Sequence, residues 1–317
     1  MAFRHQSVML QETIDLLNIR QGGIYVDGTL GGGGHSEEIL RRLSGTGHLY
    51  GIDRDEDALQ AASERLAGNQ NFTAISGNFH DLRSILADRG VTLVDGILLD
   101  LGVSSYQLDT RERGFSYQGK APLDMRMDQR QSLTARHIVN EWSKEELTRI
   151  LKENAEEKWA ARIADMIVEH REKSPLETTE DLVRCVDSAI PKKIRMQEKG
   201  HSAKRTFQAL RIEVNDELSP LSDAICDMVR SLRPSGRLAI LTFHSLEDRI
   251  VKRTFQRLAD PCICPPKIPV CVCGRIPQVK LIKKAIKPSD EEIQANPRSH
   301  SAILRGCERL DARDWII

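Results

Sequence analysis

The stretch Ile24-Tyr25-Val26-Asp27-Gly28-Thr29-Leu30-Gly31-Gly32-Gly33-Gly34-His35-Ser36 decides the fold of this chain. Its first three residues form a short β-run closed by an acid. Four consecutive glycines follow, and Glu37 to Leu43 then reads as helix. Glycines between a strand and a helix let the backbone adopt positive φ and approach a ligand closely. A dinucleotide-binding loop needs G-x-G-x-x-G. Counting from Gly31, the third glycine falls on Ser36, so that pattern fails. Asp27, directly before the glycines, repels a phosphate and suits a ligand carrying an ammonium and a sulfonium. Asp53 closes the next β-run, His48-Leu49-Tyr50-Gly51-Ile52, and a carboxylate there accepts hydrogen bonds from a ribose diol. Together these acids favour S-adenosylmethionine over NAD. Phe79, in Ser76-Gly77-Asn78-Phe79-His80-Asp81, is expected to pack on an adenine face, and Asp100 closes the apolar run Gly96-Ile97-Leu98-Leu99. In open parallel sheets ligands bind at the carboxyl ends of strands, where Asp27, Asp53 and Asp100 are expected.

Outward from this segment, the first hundred residues alternate helix and strand. Unalternating apolar strands separated by helices predict a parallel sheet covered on both faces. From about residue 105 the pattern turns helical. Ser132 to Trp142 reads as helix. Ser143-Lys144-Glu145-Glu146 is a capping box opening a helix through Leu147, Ile150 and Leu151. Glu157 to Glu169 and Thr178 to Ile190 read as two further helices. Strand character returns after a helix beginning at Ser219-Pro220, with Leu238 to Phe243. The expected organisation is an α/β domain of residues 1–104 and 207–317, interrupted by a helical insert at 105–206.

Composition narrows the class. The 317 residues hold 46 Lys and Arg against 46 Asp and Glu, so the net charge is zero and a globally basic coat is excluded. Hydrophobic residues make up 40% and charged residues 29%, which describes a globular chain. No apolar run approaches the ~18–20 residues of a membrane span. Met1 to Gln6 lack the apolar core of a secretion signal, which gives a cytoplasmic expectation. Seven cysteines, an odd number, point to a reducing compartment rather than a disulfide scaffold.

With these residues in view, the chain resembles the bacterial small-subunit ribosomal RNA (cytosine-N4-)-methyltransferase family. The resemblance rests on Asp27–Ser36, Gly51–Asp55, Asp95–Gln107, Arg113–Tyr117 with Pro122–Asp128, Arg205–Leu218, Gly236–Lys252 and Asn296–Arg305. It implies an α/β, Rossmann-like S-adenosylmethionine methyltransferase fold with an inserted all-helical subdomain that serves RNA recognition. It also implies cofactor contacts through Gly33, Gly34, His35, Asp53, Phe79, Asp100 and Gln107. The implied reaction is methylation of the exocyclic N4 amine of a cytidine in small-subunit (16S) ribosomal RNA, with the RNA or the small subunit as partner. The chain departs from the family pattern at His201-Ser202-Ala203 and at Asn154-Ala155-Glu156-Glu157.

The chemistry asks for a hydrogen-bond acceptor, because the N4 lone pair is delocalised into the ring. Asp100 is the candidate catalytic residue, with His244 and Asp248 behind it. The Asp/Asn-Pro-Pro-aromatic loop of many exocyclic-amine methyltransferases is replaced here by Asp100-Leu101-Gly102-Val103. RNA needs a local cationic footprint. Lys192 to Arg211 carries seven Lys and Arg against Glu198, and Arg275 to Lys287 carries five with no acid. Tyr106, Phe115 and Phe243 are available to stack on an extruded base. Cys262-x-Cys264 and Cys271-x-Cys273 bracket a Pro-rich loop. Whether they hold Zn²⁺ or are reduced surface thiols stays open at this level. Cys185 and Cys226 read as core residues, and Cys307 has no assigned role. A homodimer also stays open. The competing readings are a non-catalytic ribosome-assembly protein that binds RNA and senses S-adenosylmethionine, and an NAD-dependent oxidoreductase.

Overall fold

A computed structural model describes residues 7–197, 200–265 and 270–311, so Met1 to Gln6, Glu198 and Lys199 lie outside the described residues. In chain order the elements begin α1 (Leu10–Leu17), β1 (Ile24–Asp27), α2 (Gly34–Leu43), β2 (His48–Asp53), α3 (Glu56–Arg65), β3 (Phe72–Ser76), α4 (Leu82–Ala87) and β4 (Val94–Asp100). Seven helices follow, α5 (Ser105–Asp109), α6 (Ala135–Glu141), α7 (Lys144–Glu153), α8 (Ala160–Arg171), α9 (Thr179–Ala189), α10 (Lys192–Gln197) and α11 (Lys204–Asn215). The chain ends with α12 (Leu221–Ser231), β5 (Leu232–Thr242), α13 (Ser245–Ala259), β6 (Val279–Ile286), α14 (Asp290–Ala295) and β7 (Ile303–Arg309). The described residues divide into two units. One comprises those up to Gly102 and from Leu218 onward, the other Val103–Glu217.

The first unit is built on a sheet of order β3-β2-β1-β4-β5-β7-β6. Strands β1 to β5 run parallel, while β7 runs antiparallel to both β5 and β6. This is a Rossmann-like α/β architecture. Successive strand residues point to opposite faces, and here both faces are apolar. Val26, Ile52, Ile97, Leu99 and Ile240 pack with Leu82 of α4, Ile225 of α12 and Val251 of α13. Tyr25, Leu49, Leu98 and Leu241 pack with Ile14 of α1, Ile39 of α2 and Ala62 of α3. Each such Leu or Ile contributes roughly 1.5–3 kcal/mol by leaving water. That is why these strands read as continuous apolar runs.

Three details differ from the sequence reading. Strand β5 starts at Leu232, and Pro234-Ser235-Gly236 forms an irregularity inside it, where the register jumps from Val94↔Leu232 to Gly96↔Arg237. Helix α12 begins at Leu221 with Pro220 as its N-cap. Strands β6 and β7 were not foreseen. The lysines of β6 read as a solvated charge run, although lysines are also what protects an exposed edge strand. Cys307 gains its place here, fully buried in β7.

The second unit is helical, with one isolated bridge between Pro122 and Thr178. The Ser143 capping box forms as expected, with Glu146 N donating to Ser143 Oγ at 3.2 Å and Ser143 N donating to Glu146 Oε2 at 2.8 Å. Thr178 and Thr134 cap α9 and α6 in the same way. Its core joins Leu147, Ile150, Ile163, Leu182, Val186, Phe207 and Leu210. Phe207 and Leu210 belong to α11, which runs through the expected boundary at 206/207. The division between units therefore falls at 217/218 instead. No helix among the described residues is long and apolar enough to cross a membrane.

Asn215, 3% exposed, ties α11 to an irregular segment. Its Oδ1 accepts from Met127 N at 2.8 Å, and its Nδ2 donates to the carbonyls of Met125 at 2.7 Å and Arg211 at 2.8 Å. Asn215→Ala strands buried backbone groups and should lower unfolding stability by about 2–4 kcal/mol. Denaturant unfolding would check this, and a loss below about 0.5 kcal/mol would show that the network is dispensable.

Candidate active site

The strand order reverses at β1 and β4, whose register pairs Asp27 with Leu98 and leaves Asp100 at the same carboxyl edge. Ligands of open α/β sheets bind at this switch point. Thr29, which the sequence reading passed over, links the two strand ends, its Oγ1 accepting from Asp100 N at 2.5 Å. Gly28 N donates to Leu98 O at 2.9 Å.

The glycine loop is shaped for close approach. Gly33 is the N-cap of α2 with φ of 75°. A Cβ on Gly34 would lie 2.0 Å from Ser7 Oγ, which no side chain tolerates. Neighbouring Ser36, noted in the sequence only as the residue that breaks the dinucleotide pattern, donates from Oγ to Asp27 Oδ2 at 2.7 Å.

Four carboxylates lie along this edge. Asp27 is 1% exposed, and burial raises its pKa to about 6. The hydrogen bonds from Ser36 and Thr29 oppose that rise and nearby Asp53 adds to it. Asp53, also raised by desolvation, accepts from Gly31 N at 2.8 Å on Oδ2 and from Asp55 N at 3.0 Å on Oδ1. Each oxygen keeps a lone pair. Asp100 is pushed up to about 8, first by desolvation, then by Asp27 and Glu247. Among the described residues no Lys or Arg pairs with Asp27 or Asp100. The Oδ1 atom of Asp100 is buried and has no hydrogen-bond partner. A cluster of buried and half-buried acids with one buried oxygen unanswered fits a cationic ligand carrying hydrogen-bond donors, as expected for S-adenosylmethionine.

His35 is 5% exposed, and its Nε2 lies 3.1 Å from Val8 O, which only accepts, so Nε2 carries hydrogen. Its Nδ1 then faces Asp100 Oδ2 at 3.5 Å.

The remaining candidates sort clearly. Phe79 is 9% exposed, in the sheet core beside Leu82, with His80 edge-on at 4.2 Å. His244 caps α13 and its Nε2 lies 3.0 Å from Glu247 Oε1. Asp248 is held by Arg305 at 2.6 and 2.9 Å. Asp248 is therefore committed to the turn after β5, whereas His244 Nε2 is buried and makes no hydrogen bond, so His244 stays available as an acid or base. Glu247, absent from the sequence reading, accepts from Phe243 N at 2.8 Å.

Gln107 lies in the helical unit, where its Oε1 accepts from Ser104 N at 3.0 Å in the cap of α5. Phe115 is 7% exposed in that unit's core and offers no open face, whereas Tyr106 is 47% exposed. Phe243, in the sheet unit, is half-buried. Of the first basic run, Arg211 is paired with Glu217 at 2.9 Å and Arg195 with Asp187 at 2.9 Å, while Lys192, Lys193 and Lys204 are exposed. In the second run Lys280, Lys284 and Lys287 are exposed.

The raised Asp100 carboxyl sets a pH dependence. Between about pH 4 and pH 8 the folded chain holds a proton here that the unfolded chain has released, so stability falls as pH rises through that window. Asp100→Asn removes the term. The variant should gain on the wild type with rising pH, by on the order of 2–4 kcal/mol at pH 8. Parallel pH–stability curves for the two proteins would show that Asp100 ionises normally.

Residues 2–310 match the MraW methylase family. A Clostridium botulinum (strain Kyoto / Type A2) protein named ribosomal RNA small subunit methyltransferase H is 55% identical over 311 residues, covering 98% of this chain and 100% of its own. A protein of the same name from Symbiobacterium thermophilum is 52% identical over 314 residues, covering 98% of each. Among solved structures, an rRNA methylase from Streptococcus thermophilus aligns over 96% of this chain and 98% of its own, with 12% identity and a TM-score of 0.41, too distant a likeness to bear on the site. The full-length match and the high identity agree with the motifs around Asp27, Asp53 and Asp100, and the chain belongs to the MraW methylase family.

Proposed function

We propose that this chain is an S-adenosylmethionine-dependent methyltransferase acting on the exocyclic N4 amine of a cytidine in small-subunit ribosomal RNA. The observation that carries the reading is the convergence of Asp27, Asp53 and Asp100 at the sheet's switch point, with a buried, unpartnered oxygen on Asp100. S-adenosylmethionine supplies an electrophilic methyl on a positively charged sulfur. Asp53 holds the ribose diol with its spare lone pairs, Gly33 and Gly34 admit the ligand's backbone-close portion, and Phe79 lines the adenine side. A cation beside Asp100 lowers the carboxyl's pKa and leaves it ionised at neutral pH.

An ionised Asp100 orients the N4 amine and accepts its proton. His35, held by Val8, offers Nδ1 as a further station 3.5 Å from Asp100. Alignment of amine and methyl supplies much of the remaining rate. The base must leave any helix to reach this edge, and Phe243, next to Gly102 at the end of β4, is the stacking surface within the sheet unit. The helical unit, Val103–Glu217, serves RNA recognition, with Lys192, Lys193 and Lys204 as its open phosphate contacts. The enzyme works in the cytoplasm on the RNA or the small subunit. Nothing in the chain favours the non-catalytic reading, and the failed dinucleotide pattern disfavours the oxidoreductase.

Labelled methyl from S-adenosylmethionine should appear in small-subunit RNA as N4-methylcytidine on nucleoside analysis. Label on a ribose or a ring carbon, or no transfer at all, would overturn the reading. At saturating cofactor, Asp100→Asn should slow single turnover by about 10²–10⁴. A wild-type rate there would reassign Asp100 to cofactor holding alone.

A further inference from the structure

The methyl-transfer site makes no use of Cys262, Cys264, Cys271 and Cys273, which lie in the segment joining α13 to β6. Their four sulfur atoms all lie within 4.8 Å of one another. Cys262 and Cys271 are 3.6 Å apart, Cys264 and Cys271 3.8 Å, Cys271 and Cys273 3.4 Å, and Cys262 and Cys273 4.0 Å. All four are free thiols. These separations are far longer than the ~2.05 Å of a disulfide. They bracket the edge of a tetrahedron about 3.8 Å long, the spacing that four sulfurs take around Zn²⁺ at about 2.3 Å each. From this geometry we infer that the four cysteines bind one zinc ion as a closed, structural tetrathiolate site.

Packing does not explain the convergence. Cys262 and Cys271 are exposed, and the residues around them turn their apolar side chains outward, with Ile263 64%, Val270 70% and Val272 76% exposed. Ile263 and Val272 are the single residues inside the two Cys-x-Cys pairs. Turning them outward is how so tight a spacing brings both flanking sulfurs to one side. Among the described residues, the base of the segment is tied to the sheet unit by Gln278 N to Leu258 O at 2.8 Å and Leu310 N to Gln278 O at 2.9 Å. A backbone amide points at one of the sulfurs, Val272 N to Cys264 at 3.4 Å. Such donors stabilise thiolate ligands around a metal. The donor set is all sulfur, which selects a soft or borderline ion over Mg²⁺ or Ca²⁺. Four protein ligands leave no open position for a water, so the ion fastens the segment and takes no part in transfer.

The full chain, purified under reductant and without chelator, should carry one zinc ion by elemental mass spectrometry. Adding Co²⁺ to the metal-stripped protein should give the visible absorption of a tetrahedral tetrathiolate. Cys262→Ser and Cys271→Ser should each bring zinc to background. Wild-type protein without stoichiometric zinc that also gives no cobalt spectrum would overturn the assignment, and so would stoichiometric iron, or two disulfides seen by intact mass. The wild-type measurements decide the matter even where a serine variant fails to fold.

Discussion

Two carboxyl groups at adjacent strand ends, Asp27 buried and Asp100 half-buried, with no Lys or Arg paired to either among the described residues, are the constraint around which the sheet unit is arranged. The β1–β4 register leaves Asp27 and Asp100 at one edge, and Thr29 bonds the second strand end to the loop of the first. Burial raises both acids, to about 6 and about 8, with Asp53 adding to the rise at Asp27, and Asp27 and Glu247 adding to that at Asp100. An uncompensated pair of charges in such a place is costly, so near neutral pH the site holds a proton on Asp100. Ser36 and Thr29 stabilise Asp27, while Asp100 is left with one oxygen unanswered. Asp100 is thus stable as an acid near neutral pH in the absence of a compensating positive charge.

The scaffold makes this tolerable. Apolar layers on both faces of β1, β2, β4 and β5 supply stability that does not depend on the polar edge. The glycine loop contributes by omission, since a methyl group on Gly34 would strike Ser7. His35 joins loop to strand end, with one nitrogen committed to Val8 and the other facing Asp100.

Much of this was legible in the sequence because the signals were local. Strands β1, β2 and β4 carry the apolar runs Ile24–Val26, Leu49–Ile52 and Gly96–Leu99, each closed by an aspartate, and those aspartates meet at one edge of the sheet. The capping box at Ser143 needed only residues three apart. Strands β6 and β7 were missed because their burial comes from long-range antiparallel pairing with β5, while their own residues, such as Lys280, Lys284 and Arg305, read as polar. Glu247 was missed because it reaches Asp100 electrostatically from another strand's turn, although a Glu three residues after a capping His244 was a visible sign that the turn was built. The end of the helical insert was misplaced because α11 carries no break at 207, and only its packing onto α6 and α7 assigns it. The Cys-x-Cys pairs were visible, but that their sulfurs meet is a fact of three dimensions.

The central claim, that Asp100 waits protonated for a cationic ligand, is tested most directly by calorimetry of S-adenosylmethionine binding in buffers of different ionisation enthalpy. The account predicts proton release on binding near pH 7 and affinity that tightens as pH rises from about 6 to about 8, with Asp100→Asn removing most of the release. Binding without proton exchange, at an affinity unchanged across that range, would contradict it.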